Sequence, residues 1–579
     1  MPHAPSFTLV AAALVPALAL SACAVYHAQS APTTANVPQP QALDTPRAQA
    51  AYHVLLGTLA AHRGDNSIAV RELLAANAIV PDRMLVTEAA AAALTLNDPA
   101  TGLKAVQALV DQEPDDPRAN AALLDLAIRA NAPDTAFRAA LKLLEVSPDG
   151  IPGGYRDVAD VLSQTNTLKQ ETLAAETMRR LVAEHPDMAE AHYAAGLLAL
   201  RQYDSDTAVA AAKQAVKLDG SDPGARLLLV AAHVEAGQLP AAQRALAPLI
   251  SASPSERQTD LRMAYAQFLF KYGRYAATRQ ALATILRAAP GDEKALLMLA
   301  RTELLTNQSQ DALKTLDHIH SVPPARMAEI EFYRGRAAEQ LRDYPAALEH
   351  YDHCRGSALE APARVRQAVV LGAQGKLEEA RMTLHALAAA LPDQASDAVS
   401  AESALLLNAG RTHEALAVVA TALEATPGDE DLLYQQALVQ DRLGNTRQAV
   451  ATLHRLITAH PHEVRYLNGL GFTLAEHGAS ATLDQAQQLI TEALRMAPED
   501  PSVLDSMGWV LYRRGKAAQA LPYLTQAYAL FNDPEVAAHL VTVLTATGDH
   551  RAAGQMLARA LQRDPTDAQL LKLKSQLAP

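Results

Sequence analysis

The sequence predicts an all-α superhelix, an α-solenoid of about fifteen helical hairpins closed by a C-terminal capping helix. Three observations predict it. Apolar residues make up 49% of the 579-residue chain but aromatics only 4%, so the apolar content is chiefly Ala and Leu, which form helices and let them approach closely. Prolines recur just after apolar helical stretches, at Pro81, Pro114, Pro148 and Pro186, then at Pro254, Pro290 and Pro324, then at Pro392, Pro427, Pro461, Pro498 and Pro565. A small residue stands twelve places before most of these turns, where a second helix would open against a first.

The first 22 residues read as a secretory signal. "FTLVAAALVPALALSAC" is apolar for too short a stretch to span a bilayer and ends in small residues. Its ending, Leu20-Ser21-Ala22-Cys23, resembles a bacterial lipobox, in which the cysteine sulfur takes a thioether-linked lipid and becomes the new N-terminus. "MPHAPSF" departs from that pattern, having no Lys or Arg, and an ordinary cleaved signal with a chance cysteine is the alternative. Cys23 is the expected lipid attachment site. Ala24 rather than Asp follows it, which in lipoproteins of this kind implies an outer-membrane anchor facing the periplasm.

Residues 23–47 form the lipidated cysteine and its tether. The stretch lacks helical periodicity and is rich in Pro, Thr, Ser and Gln, so it reaches roughly 25–30 Å as a flexible chain. The array follows. Successive proline steps are 33, 34 and 38, then 36 and 34, then 35, 34 and 37, and gaps of 67 or 68 fit two repeats sharing a proline-free turn at Gly220, Leu359 or Asn532. Ala69, Ala208, Ala242, Ala312, Ala347 and Ala380 hold the small place, as do Ala415, Ala449, Ala486, Ala520 and Ala553. Gly57, Gly196, Gly335 and Gly508 lie twelve places before four of them, and Gly471 lies fifteen before Ala486 because "GASATL" adds three residues. An N-terminal array over 48–148 and a main array over 189–567 flank residues 149–188, where "DGIPGGYRDV" suggests an irregular repeat or hinge. Residues 568–579, with "AQLLKLKSQL", read as the cap.

A net charge of -13 argues against nucleic acid, which selects basic faces. Neither a Gly-rich phosphate loop nor an HExxH, paired CxxC or GxSxG sequence is present, so neither catalysis nor a cofactor is expected. "HYDHC" places His350, His353 and Cys354 on one helical face, but Cys354 falls in the small buried place held by Ala215, Ala422 and Ala527 elsewhere, and no metal is expected there. His460 and His462 of "AHPHEV" read as surface histidines. With Cys23 lipidated, Cys354 has no disulfide partner.

A step of 34 resembles the tetratricopeptide repeat (TPR), whose first helices line the concave face of the superhelix. In that register Trp509, the chain's one tryptophan, and Phe472 each follow a glycine and fall on the concave stripe. Tyr512 and Arg513, Arg465 and Asn468, and Tyr434 and Arg442 share that stripe. Rings interleaved with Arg and Asn suit a peptide groove, the rings giving desolvated area and the polar groups holding backbone or a terminal carboxylate. Packing of Trp509 on Phe472 in a tightly curved superhelix is the other reading. Met263, Phe270, Arg301, Phe332 and Arg336 form a weaker second stripe.

The segment from "YLNGLGFTLAEHG" to "LDSMGWVLYRRGKAAQAL" resembles the C-terminal repeats of long TPR lipoproteins of Gram-negative bacteria, among them adaptors of the LbcA type. That resemblance implies a non-catalytic adaptor that binds a periplasmic carboxyl-terminal processing protease and presents cell-wall hydrolases to it. A structural scaffold for an envelope assembly or polysaccharide-export machine is the alternative.

Overall fold

The computed structural model describes residues 45–577, apart from 97, 321, 322 and 479; the signal sequence, Cys23 and most of the tether lie outside the described residues. Among the described residues thirty-one α-helices follow one another, fifteen hairpins and a last helix, Ala568–Leu577, of which only Leu570 is buried. None of the described helices is long and apolar enough to cross a membrane.

The spacing read from sequence has a direct steric cause. All eleven alanines of the small place are fully buried. One turn further along the second helix stands the residue that packs into the glycine of the first: Leu73 on Gly57, Tyr351 on Gly335, Ile490 on Gly471 and Leu524 on Gly508. A Cβ on any of these glycines would come within 2.5–2.8 Å of that side chain. The turn prolines stand two residues beyond a second helix, and at Pro-x-Asp turns the aspartate caps the next helix, as Asp116, Asp292, Asp429 and Asp500 do. Pro324 differs. The helix before it, Ser309–Asp317, stops early, and Pro324 instead opens the next one. The glycines of 149–188 serve close approach: a Cβ on Gly154 would lie 2.7 Å from the Leu144 backbone, and the hairpin Gly150–Leu162 and Leu168–Glu184 shares one apolar cluster with its neighbours on both sides.

Within most hairpins the first helix ends in a left-handed residue. Gly237, Gly375, Gly410, Gly444, Gly515 and Gly548 are among those that take this conformation freely. Tyr203 (φ 53°) and Arg342 (φ 62°) take it against their side chains, at about 1 kcal/mol or more each. Both are contact points between successive turns of the superhelix. First helices pack on first helices of the next hairpin, whereas second helices seldom do, so the first helices form the inner wall and the array curls. Some six to eight hairpins on, it meets itself. The Tyr203 carbonyl accepts from Arg495 Nη1 at 2.6 Å, and its ring lies 5.2 Å from that of His462, which pairs with Glu171 at 3.0 Å. Arg342 donates to the Arg563 carbonyl at 2.7 Å and pairs with Asp564 at 2.6 Å. His462, expected as a chance surface residue, is therefore a contact between turns.

Glu235 is buried at this seam. Arg495 pairs with it across 3.6 Å, too far for a hydrogen bond, and both carboxylate oxygens lack a hydrogen-bond partner. Burial pushes the carboxyl up to about 7, against the pull of Arg495 and Lys271. An acid raised in this way contributes stability that is complete below its ordinary range near 4.5 and is lost as the pH rises through about 7. Glu235→Gln, neutral at every pH, is expected to match the parent at pH 5 and to exceed its stability at pH 8, by up to about 3 kcal/mol. Urea melts at the two pH values measure this.

Candidate concave recognition site

The C-terminal inner wall is built by four first helices, Glu430–Arg442, Val464–His477, Pro501–Arg513 and Pro534–Ala546. In this wall the rings of Trp509 and Phe472 both meet His539 of the fourth helix. The indole stacks on the imidazole at 4.1 Å and 20°, and Phe472 stands 6.0 Å from it. The Trp509 Nε1–H donates to Glu476 Oε2 at 2.6 Å; Arg513 donates to the Glu476 carbonyl, and Tyr512 lies 5.2 Å from the indole. His539 is 3% exposed and bonded to both oxygens of Asp505 at 3.0 Å. Burial alone would lower its pKa. Asp505, helped by Glu535 and Glu476, more than offsets that and raises it, which favours a positive charge under the indole.

Two of the three arginines of the stripe, Arg465 and Arg513, are not free to hold a ligand's carboxylate. Arg465 pairs with Asp431 at 2.5 Å and lies over the rings of Tyr434 and Tyr466, at 5.6 and 4.8 Å. Tyr434 packs against Gly469. Arg513 is held by Glu476. Arg442 is exposed at the end of its helix and acts on Glu535 electrostatically. Beside the tryptophan opens a cleft of about 260 Å³ lined by Asn468, Phe472, Ser502, Asp505, Ser506, Phe531, Asp533, Glu535 and Val536. Phe531 is half exposed, and the Asn468 Oδ1 is buried without a partner. Burial pushes the carboxyls of Asp533 and Glu535 up, and each is raised further by the other acids around it. The free charge of the cleft is acidic.

The second stripe divides. Arg301 sits between Phe270 and Tyr333, 5.0 and 5.9 Å from their centroids. Met263 is core, packed with Leu282 and Ile285, and Phe332 leans on Tyr351 at 5.9 Å. The Arg336 Nε is buried without a partner, near Arg366, which Glu339 holds. Sequence register missed His539, Asp505, Glu476, Phe531 and Glu535. Asp505, four residues before Trp509 on the same helix, was the available signal: an acid on an inner face must have a partner there.

Tetratricopeptide repeat profiles match residues 199–268, 269–325 and 511–577, a second such profile matches 87–151 and 172–223, and a third matches 431–462, together more than half of the chain. A TPR repeat-containing protein of Pseudomonas aeruginosa, PA4667, is 35% identical over 209 residues, covering 36% of this chain and 35% of that relative, so the match spans about a third of its length. Among solved structures, a thermophilic TPR protein of Thermus thermophilus, TTC0263, is 25% identical over 31% of this chain and 98% of its own, with a TM-score of 0.29. The APC/C hetero-tetramer Cut9–Hcn1 is 14% identical over 92% and 96%, at 0.31, and a tetratricopeptide repeat protein of Parabacteroides merdae is 16% identical over 44% and 98%, at 0.32. At scores this low none of the three bears on function.

Proposed function

The chain belongs to the tetratricopeptide-repeat family, and we propose that it is a non-catalytic adaptor, held at the outer membrane through a lipid on Cys23, that binds a periplasmic carboxyl-terminal processing protease and presents cell-wall hydrolases to it. The lipobox-like N-terminus, the tether and the "LDSMGWVLY" segment support the finer part of this reading. The observation that carries the binding role is the acidic cleft on the concave wall, with its aromatic sides at Phe472 and Phe531. An adaptor of this kind acts by raising the effective concentration of protease and substrate. The cleft suits a partner segment that brings a cationic side chain between the two rings, beside Asp533 and Glu535.

Affinity capture from detergent-solubilised envelopes, with the intact lipoprotein tagged at its C-terminus, tests the reading. A stoichiometric carboxyl-terminal processing protease among the bound proteins is the expected result. Export or assembly proteins without a protease would replace the adaptor with a structural scaffold. The Asp533→Asn, Glu535→Gln double variant is expected to lower capture by about tenfold while leaving the melting temperature unchanged or slightly higher, because both carboxyls are held there against their solvation. Undiminished capture by that variant would remove the cleft from the binding surface.

A further inference from the structure

The histidine cluster set aside in the sequence gains a ligand in the fold. His350 and His353 both turn towards Glu331 of the first helix of their hairpin, Pro324–Gln340. Their Nδ1 atoms lie 2.7 and 3.3 Å from the same oxygen, Glu331 Oε2, and the three donor atoms all lie within 4.8 Å of one another. Other buried or half-buried glutamates of the array each meet one imidazole: Glu72 meets His53, and Glu402 meets His385. Among the described residues, this is the one place where three such donors converge.

We propose that Glu331, His350 and His353 form a zinc site, with Glu331 Oε2 and the two Nδ1 atoms as ligands and the fourth position open to water. Zinc holds N and O donors at about 2.0–2.1 Å, so tetrahedral neighbours stand about 3.3 Å apart. His353 already has that spacing from Glu331, and His350 needs to withdraw by about 0.6 Å. Arg334 donates to the other carboxylate oxygen, Oε1, at 2.9 Å and is itself held by Asp317 at 3.1 Å, which fixes the carboxylate with Oε2 towards the imidazoles.

Cys354, the sulfur that sequence spacing offered, is not part of the set. It is fully buried, with its Sγ turned to the backbone carbonyls of Ala328 and His350 at 3.5 and 3.7 Å. The site lies where the array is least regular. The second helix here, Tyr344–Asp352, has nine residues where most second helices have fourteen, and His353 caps its end, 58% exposed at the side chain. An ion there would fasten the end of a short helix to its partner.

The test is calorimetric titration of Zn²⁺ into the full chain, purified without a histidine tag, alongside His350→Ala and His353→Ala. One equivalent is expected to bind, at least about tenfold more weakly in either variant, and zinc is expected to raise the melting temperature of the parent but of neither variant. Equal zinc affinity in parent and variants, or no binding by the parent, overturns the site. Because His353 is exposed, its replacement leaves the fold intact, which circular dichroism checks. Co²⁺ tests the donor set: a thiolate charge-transfer band would make Cys354 a ligand and overturn the assignment.

Discussion

Trp509→Ala is expected to loosen the last three hairpins before the rest of the array, at a cost of about 2–4 kcal/mol. The indole covers the His539 imidazole at 4.1 Å and donates to Glu476 at 2.6 Å, so its loss opens one face of the buried His539–Asp505 pair to water and leaves Glu476 one donor short. Stability in a solenoid is summed over neighbours, so the loss stays local. Calorimetry is expected to show a separate low-temperature transition, and hydrogen exchange to show lost protection over residues 464–563. Phe472→Ala is the contrast. Phe472 lines the cleft and reaches His539 only at 6.0 Å, so its replacement is expected to cost less stability and more partner capture. An unchanged melt for Trp509→Ala with abolished capture would make the tryptophan a direct partner contact instead.

The repeat was legible because its signals are local. A proline two residues beyond a helix and an alanine at the tightest approach of two helices act within 34 residues, so their period survives in one dimension. Register also placed Trp509 and Phe472 on the inner face, since the face of a helix follows from 3.6 residues per turn. It could not say what stands opposite. His539 comes from the next hairpin's first helix, and its position there is set by the superhelical pitch, which depends on small rotations summed over hairpins. For the same reason Arg513 and Arg465 read as free cations, although Glu476 and Asp431 hold them. His462 read as a chance histidine, although Glu171, 291 residues away, is its partner. The histidines at 350 and 353 were visible, but Glu331 was not, because nothing in a helix–helix register singles out one carboxylate nineteen residues upstream.

Contacts between turns make the other large prediction. Arg495→Ala is expected to open the seam of the superhelix, increasing the maximum dimension in small-angle scattering and the exchange of amides around 203 and 235. Arg495 spans three groups: it donates from Nη1 to the Tyr203 carbonyl, from Nη2 to Glu492 at 2.6 Å, and stands 3.6 Å from Glu235. Removing it takes away the cation that pulls most strongly on the buried Glu235 and leaves only the weaker fields of Lys271 and Arg274. Breaking a buried pair in this way costs roughly 3–5 kcal/mol when the remaining charge cannot escape, but Glu235 can escape by taking a proton. The cost should therefore be large at pH 8 and small at pH 5.5, below the value of about 7 that burial imposes on Glu235. Adding Glu235→Gln to Arg495→Ala should remove that pH dependence while leaving the Tyr203 carbonyl without its donor, so the double variant stays partly open at both pH values. Tyr203 supports the assignment from the backbone side: a tyrosine held at φ 53°, where most other hairpins place glycine, persists only if contacts across the seam offset its strain. Scattering curves identical for parent and Arg495→Ala at pH 8 would mean that curvature within each turn, set by the first helices alone, closes the superhelix without the seam.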